Sequence, residues 1–192
     1  MKLVDGVAAI DDLDAFLDEL TRIGKGTGCT VQAFDARYVV DRAHLERALE
    51  LADRALGRGE NVARDRGVEV MLYAAGRRQI DRALTLGVSE GEGPVVVLVA
   101  AEREDGDGAA EDAADGTAER SDTAEGDPDH PGDEAAAAAA VGDLLTAADT
   151  LGDYDEDLVC EYFDIDETEL AATAGSLADV VHERVALLDV RK

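Results

Sequence analysis

The chain has 192 residues, 45 of them acidic and 18 basic, for a formal net charge of −27. A chain of this length buries about 70% of its unfolded surface and so can hold a full core. With four tyrosines, three phenylalanines and no tryptophan, that core must be aliphatic and base-stacking platforms are scarce.

In chain order, LVDGVAA near the start reads as a short strand. Asp11 or Asp12 then caps a helix whose apolar positions are Leu13, Phe16, Leu17 and Leu20. GKGTG at 24–28 ends that helix; it lacks the GxxxxGK[ST] spacing and the strand-to-helix setting of a phosphate loop. Residues 29–40 alternate Cys29, Val31 and Ala33 against Thr30, Gln32 and Phe34, and are expected to form a strand or a hairpin. Asp41 caps a long helix reaching about Gly57, with Leu45, Ala48, Leu49, Ala52 and Leu56 inward and His44 at the boundary of that stripe.

A helical turn is expected at 61–67 and a strand at 68–74, where Val68, Val70, Leu72 and Ala74 alternate with Glu69, Met71 and Tyr73. Gly76 is expected to open a helix with Ile80, Ala83 and Leu84 apolar, closing at Gly87. The run PVVVLVAA at 94–101 has no polar position, the signature of a strand covered on both faces.

Residues 102–134 carry 14 acids, two arginines and, apart from alanine and two prolines, no apolar side chain. Such a segment cannot offset its ordering entropy by burial and reads as a disordered acidic linker. Polyalanine at 135–140 then starts a helix continued by Val141, Leu144, Leu145 and Ala148, with further helices over 158–163 and from about Ser176. The expected organisation is therefore a core at 1–101, a linker at 102–134, and C-terminal helices at 135–192 packing back on the sheet. The fold class is α/β in the α+β sense, with a mostly antiparallel sheet.

Charge is unevenly placed. Residues 1–100 hold 13 basic and 17 acidic side chains, residues 101–192 hold 5 and 28, and the sign reverses only within 54–82, with seven arginines against four acids. Three lysines against 15 arginines, and 27 aspartates against 18 glutamates, match the surface of a protein from a high-salt cytoplasm. No run approaches the length of a membrane span and the N-terminal residues are interrupted by aspartates, so a cytoplasmic protein without membrane contact is expected.

No catalytic set, cofactor motif or metal motif stands out. Cys29 and Cys160 have no ligand spacing, His44, His130 and His182 have no nucleophile beside them in sequence, and Asp153, Asp155 and Asp157 lack the glycine and glutamate of a calcium loop. The arginine segment AAGRRQIDRAL at 74–84 differs. If Gly76 opens a helix, Arg77 and Arg78 oppose the positive end of its dipole, and residues that worsen the dipole while concentrating donors describe an anion site. The competing reading is that Arg78 bridges Asp81 or Glu69.

The stretch from Asn61 to Arg64, the run VEVMLYAAGRRQI at 68–80, the following ALTLGV and the tail VHERVALL at 181–188 together resemble the kinase-binding small subunit of the KEOPS complex, the family of the PRPK-binding protein. The resemblance covers about 1–100 and 135–192; the acidic segment between them is longer than a compact member needs. It implies a non-catalytic subunit of the machinery that installs threonylcarbamoyl-adenosine in tRNA, docking on the kinase/ATPase subunit and holding the 3′ CCA end of tRNA. On that basis tRNA contacts are expected at Gly76, Arg77, Arg78 and Arg82 with Arg64 and Arg66, and kinase contacts at Leu84, Leu86 and Val88, with core packing the competing reading for at least one of these three. Two alternatives stay open: a small enzyme binding a phosphorylated metabolite at Gly76-Arg77-Arg78, and a structural protein whose arginines are paired internally.

Overall fold

A computed structural model describes residues 1–102 and 132–190. Most of the expected acidic linker thus lies outside the described residues. The described residues form a four-stranded antiparallel sheet with helices on both faces, in the strand order β2 (Cys29–Asp35), β3 (Gly91–Ala101), β1 (Lys2–Ile10), β4 (Thr146–Ala147). This is the expected α+β class with an antiparallel sheet.

The sheet is built around β3 (Gly91–Ala101), the run without polar positions. It pairs with β1 (Lys2–Ile10) from Lys2↔Val99 to Ile10↔Gly91, and with β2 (Cys29–Asp35) from Cys29↔Ala101 to Asp35↔Val95. Val96 and Leu98 point with Phe34 into the main core, whereas Val97 and Val99 point with Cys29 and Ala33 into a second one. Each such valine or leucine, fully buried, contributes about 1.5–3 kcal/mol, so a strand apolar on both faces is favoured only where both are covered. The edge strand β4 (Thr146–Ala147) meets β1 at Gly6 and Val7; a Cβ at position 6 would lie 2.6 Å from the carbonyl oxygen of Thr146, so this approach requires glycine.

Two helices cover one face. Helix α1 (Leu13–Thr27), capped by Asp12 and ended by Gly28, buries Leu20 and Ile23, and α5 (Glu134–Gly142) buries Ala137 and Val141 beside it. On the other face lie α2 (Arg42–Arg58), with the expected Asp41 cap, and α3 (Arg66–Ala74). Short elements follow α3: α4 (Ile80–Ala83) and a 3₁₀ turn at Leu84–Leu86. Beyond α5 come α6 (Glu156–Phe163), α7 (Glu167–Ala172) and α8 (Leu177–Val190).

Two expectations need correction. The segment 68–74 is the helix α3, not a strand. Seven of its nine residues are buried, so inward positions fall on every side and period two cannot be told from period 3.6. The helix is started by Asp65, whose carboxylate accepts from the Val68 N–H at 2.9 Å. Of the two readings for residues 29–40, the strand holds: they form one strand and a 3₁₀ turn (Ala36–Tyr38). The helix after the polyalanine stops at Gly142, and Leu144 and Leu145 lie in the turn leading to β4. Among the C-terminal helices α5 packs on the sheet and α8 on α2, which places Val185 and Leu188 in the main core with Phe34, Val96 and Leu98.

Candidate nucleic-acid interface

The arginine segment follows a helix C-terminus. Helix α3 ends in a reciprocal pair of backbone bonds, Gly76 N–H to the Tyr73 carbonyl at 2.9 Å and Arg77 N–H to the Leu72 carbonyl at 3.1 Å. This closure needs a left-handed residue between them, and Gly76 supplies it with φ of 58°. Arg77 therefore meets the negative end of the α3 dipole, where a cation is favoured, and the expected helix N-terminus at Gly76-Arg77-Arg78 is corrected. The next helix, α4, begins only at Ile80 and has four residues.

Arg77 is positioned by the C-terminal half of the chain. Its Nη2 donates to the Tyr162 carbonyl and to Asp164 Oδ2, the latter at 2.8 Å, and its guanidinium sits 5.5 Å from the centre of the Tyr162 ring. The Tyr162 hydroxyl donates to the Arg82 carbonyl at 2.9 Å, and Tyr38 meets the Tyr162 ring edge to face at 5.6 Å. Together Tyr38, Arg77, Arg82, Glu161, Tyr162 and Asp164 border a pocket of about 350 Å³. Burial outweighs the nearby Arg77 and pushes the Tyr162 hydroxyl up to about 12, so it stays a neutral donor. Arg78 is exposed with no ion pair among the described residues, and the side chain of Arg82 likewise has none.

Sequence reasoning missed Tyr38, Tyr162 and Asp164. Two of the four tyrosines of an aromatic-poor chain meet here, brought from segments more than 100 residues apart, and no local pattern signals that meeting.

Two of the expected arginines lie elsewhere. Arg66 is a structural clamp: Nε and Nη2 hold Asp53 at 2.7 and 3.0 Å, and Nη1 donates to Thr30 Oγ1 at 3.1 Å and to the Ala101 carbonyl at 2.9 Å. It ties α3 to α2 and to the paired ends of β2 and β3, and its donors face inward. Arg64 is exposed, but it lies beyond the opposite end of α3 from Arg77, a helix about 13 Å long.

One protein family, described as kinase binding protein CGI-121, matches residues 12–189 of the chain. The chain belongs to the CGI-121 family. No curated protein matches the chain.

For a CGI-121 family member, the residues expected to meet a kinase need sorting by exposure. Leu84 is 53% exposed and stands one turn from Ile80, which is 42% exposed. Leu86, in contrast, is fully buried in the main core, and Val88 is half-buried against the second core and β1. Leu84, Leu86 and Val88 thus do not form one surface. Nor is His44 a boundary residue: it is fully buried.

Proposed function

We propose that the chain is the kinase-docking, tRNA-recruiting subunit of a KEOPS-type complex that installs threonylcarbamoyl-adenosine in tRNA, with no chemistry of its own. In this reading the 3′ CCA end lies along the edge formed by Arg77, Arg78 and Arg82, with its bases toward Tyr38 and Tyr162, and the kinase docks on Leu84 and Ile80. Membership in a family of kinase binding proteins supports the kinase partner. The observation that carries the nucleic-acid half is the pocket itself. In a chain of net charge −27, Arg82, exposed and without an ion pair among the described residues, borders the pocket with two tyrosine rings and with Arg77, whose guanidinium lies over one of them, and the exposed Arg78 is the neighbour of Arg77 in sequence. Phosphates bind arginine as anions, and unstacked bases bind aromatic faces.

The phosphorylated-metabolite enzyme loses its premise, because Gly76-Arg77-Arg78 closes a helix rather than opening one. Internal pairing of the arginines is favoured at Arg66 by its inward donors. Arg78 and Arg82 separate that reading from tRNA binding. Replacing both by Glu should weaken tRNA at least tenfold in 0.1 M KCl by turning two cations into anions, while the circular dichroism spectrum stays that of the wild type. Trimming CCA from the tRNA should weaken the wild type and have little further effect on the double variant. Equal tRNA affinity in wild type and double variant would overturn the proposal.

A further inference from the structure

Among the described residues Asp164 is the one non-glycine residue with a positive φ, at φ 54° and ψ 47°. It follows the last residue of α6, where the backbone turns left-handed and glycine or asparagine is the usual choice. Its side chain does not repair this by burial: it is 75% exposed. It does hold Arg77, Oδ2 to Nη2 at 2.8 Å, but an ion pair with one member so exposed contributes little to folding. A strained aspartate therefore stands where it adds little to the fold and faces the one candidate tRNA cation that is fixed in the pocket.

Arg77 is only partly engaged. Its Nη2 serves the Tyr162 carbonyl and Asp164, whereas Nε and Nη1 have no partner among the described residues. A phosphate arriving there would share the guanidinium with a carboxylate already within hydrogen-bond distance, and Glu161 borders the same pocket. Two anions on one cation repel each other, and the repulsion is strongest in dilute salt.

We infer that Asp164 is an internal competitor for the phosphate-bearing ligand of Arg77, holding the affinity of this edge below what its arginines alone would give. The inference rests on the tRNA reading of the pocket. It makes Asp164 a residue that sets affinity and salt dependence rather than one that builds the site. With Arg77 already neutralised, a phosphate that binds there displaces the carboxylate, which takes up a cation from solution. Net counterion release at this contact is therefore small.

Asp164→Asn removes the charge and keeps a residue that tolerates the left-handed backbone; Asp164→Gly relieves the backbone as well. Both should unfold at or above the wild-type temperature. Each should bind intact tRNA about two- to fivefold more tightly than wild type in 0.1 M KCl, the scale of one exposed ion pair, with the gap closing toward 1 M. The plot of log affinity against log salt should steepen by about 0.7, one single-strand phosphate contact. In an Arg77→Gln background Asp164→Asn should have no effect. Unchanged or weaker binding by both variants, or a gain that persists without Arg77, would overturn the competitor while leaving the tRNA reading in place. Failure of wild type and variants alike to bind tRNA at any salt would overturn both.

Discussion

His44 Nε2 lies 2.8 Å from the carbonyl oxygen of Ala74, joining the first turn of α2 to the last turn of α3 through a fully buried ring. The carbonyl can only accept, so Nε2 carries the proton, and Nδ1 is left buried without a partner among the described residues. Just outside, Asp41 Oδ1 accepts from the His44 N–H at 2.8 Å and from His182 Nε2 at 2.9 Å, binding α8 to the start of α2. Phe163 of α6 covers the ring at 6.0 Å. Three helices thus meet on a histidine that must stay neutral.

Acid should therefore cost stability through His44. Burial, with His182 adding to it and Ala74 and Asp41 opposing, lowers the group from 6.5 to about 4. The folded value lies below the unfolded one, so the unfolded chain takes the proton first. The stabilisation is fully present above about pH 6.5 and is lost as pH falls through about 4, a change of about 3 kcal/mol. His44→Gln can still donate to Ala74 without titrating. The difference in unfolding free energy between wild type and this variant, measured by urea at a series of pH values, should shift by that amount in favour of the variant between pH 7 and 4. A difference that does not vary with pH would refute the assignment.

Arg66 should matter to the fold and not to tRNA. Replacing it by Met leaves Asp53 without its bidentate partner and the Thr30 and Ala101 oxygens without a donor, costing about 3 kcal/mol. Urea unfolding measures the loss. The affinity of the remaining folded protein for tRNA should equal that of the wild type.

Gly76→Ala should destabilise by about 1–2 kcal/mol, because a Cβ is disfavoured at φ 58°. Space is not the obstacle: the nearest atom to that Cβ would be the Arg184 carbonyl oxygen at 3.5 Å, an ordinary contact. Gly76→Asn should accordingly recover part of the loss in thermal unfolding.

Leu84 and Leu86 differ by two positions and should differ in kind. Leu84→Asp changes an exposed side chain and should abolish capture of the kinase partner while the protein stays folded. Leu86→Asp puts a charge into the main core and should unfold the chain. Circular dichroism and a kinase pull-down on the same preparations separate the two outcomes.

Salt should stabilise the chain. With a net charge of −27, repulsion among carboxylates is screened within about 3 Å at 1 M salt but reaches about 10 Å at 0.1 M. The melting temperature should rise as KCl is raised over that range. A melting temperature indifferent to KCl would count against a surface adapted to high salt.

The strands β1 and β3, the capped helices α1 and α2 and the polyalanine helix α5 were legible in the sequence, because each announces itself within its own residues. Asp12 and Asp41 accept from backbone N–H groups three positions on, and the run at 94–101 has no polar face to expose. The acidic excess and the single arginine-rich stretch are likewise properties of composition. The identity of α3 was not legible, since a segment buried on all sides carries no period, and that one ambiguity inverted the dipole seen by Arg77. The partners that decide what each arginine does are also distant in sequence: Arg77 meets Tyr162 and Asp164 across 85 and 87 positions, and Arg66 meets Thr30 and Ala101 across 36 and 35. Hydrogen bonds and ion pairs act over about 3 Å, so which charges are neutralised inside the fold and which remain for a ligand depends on packing that no local spacing encodes.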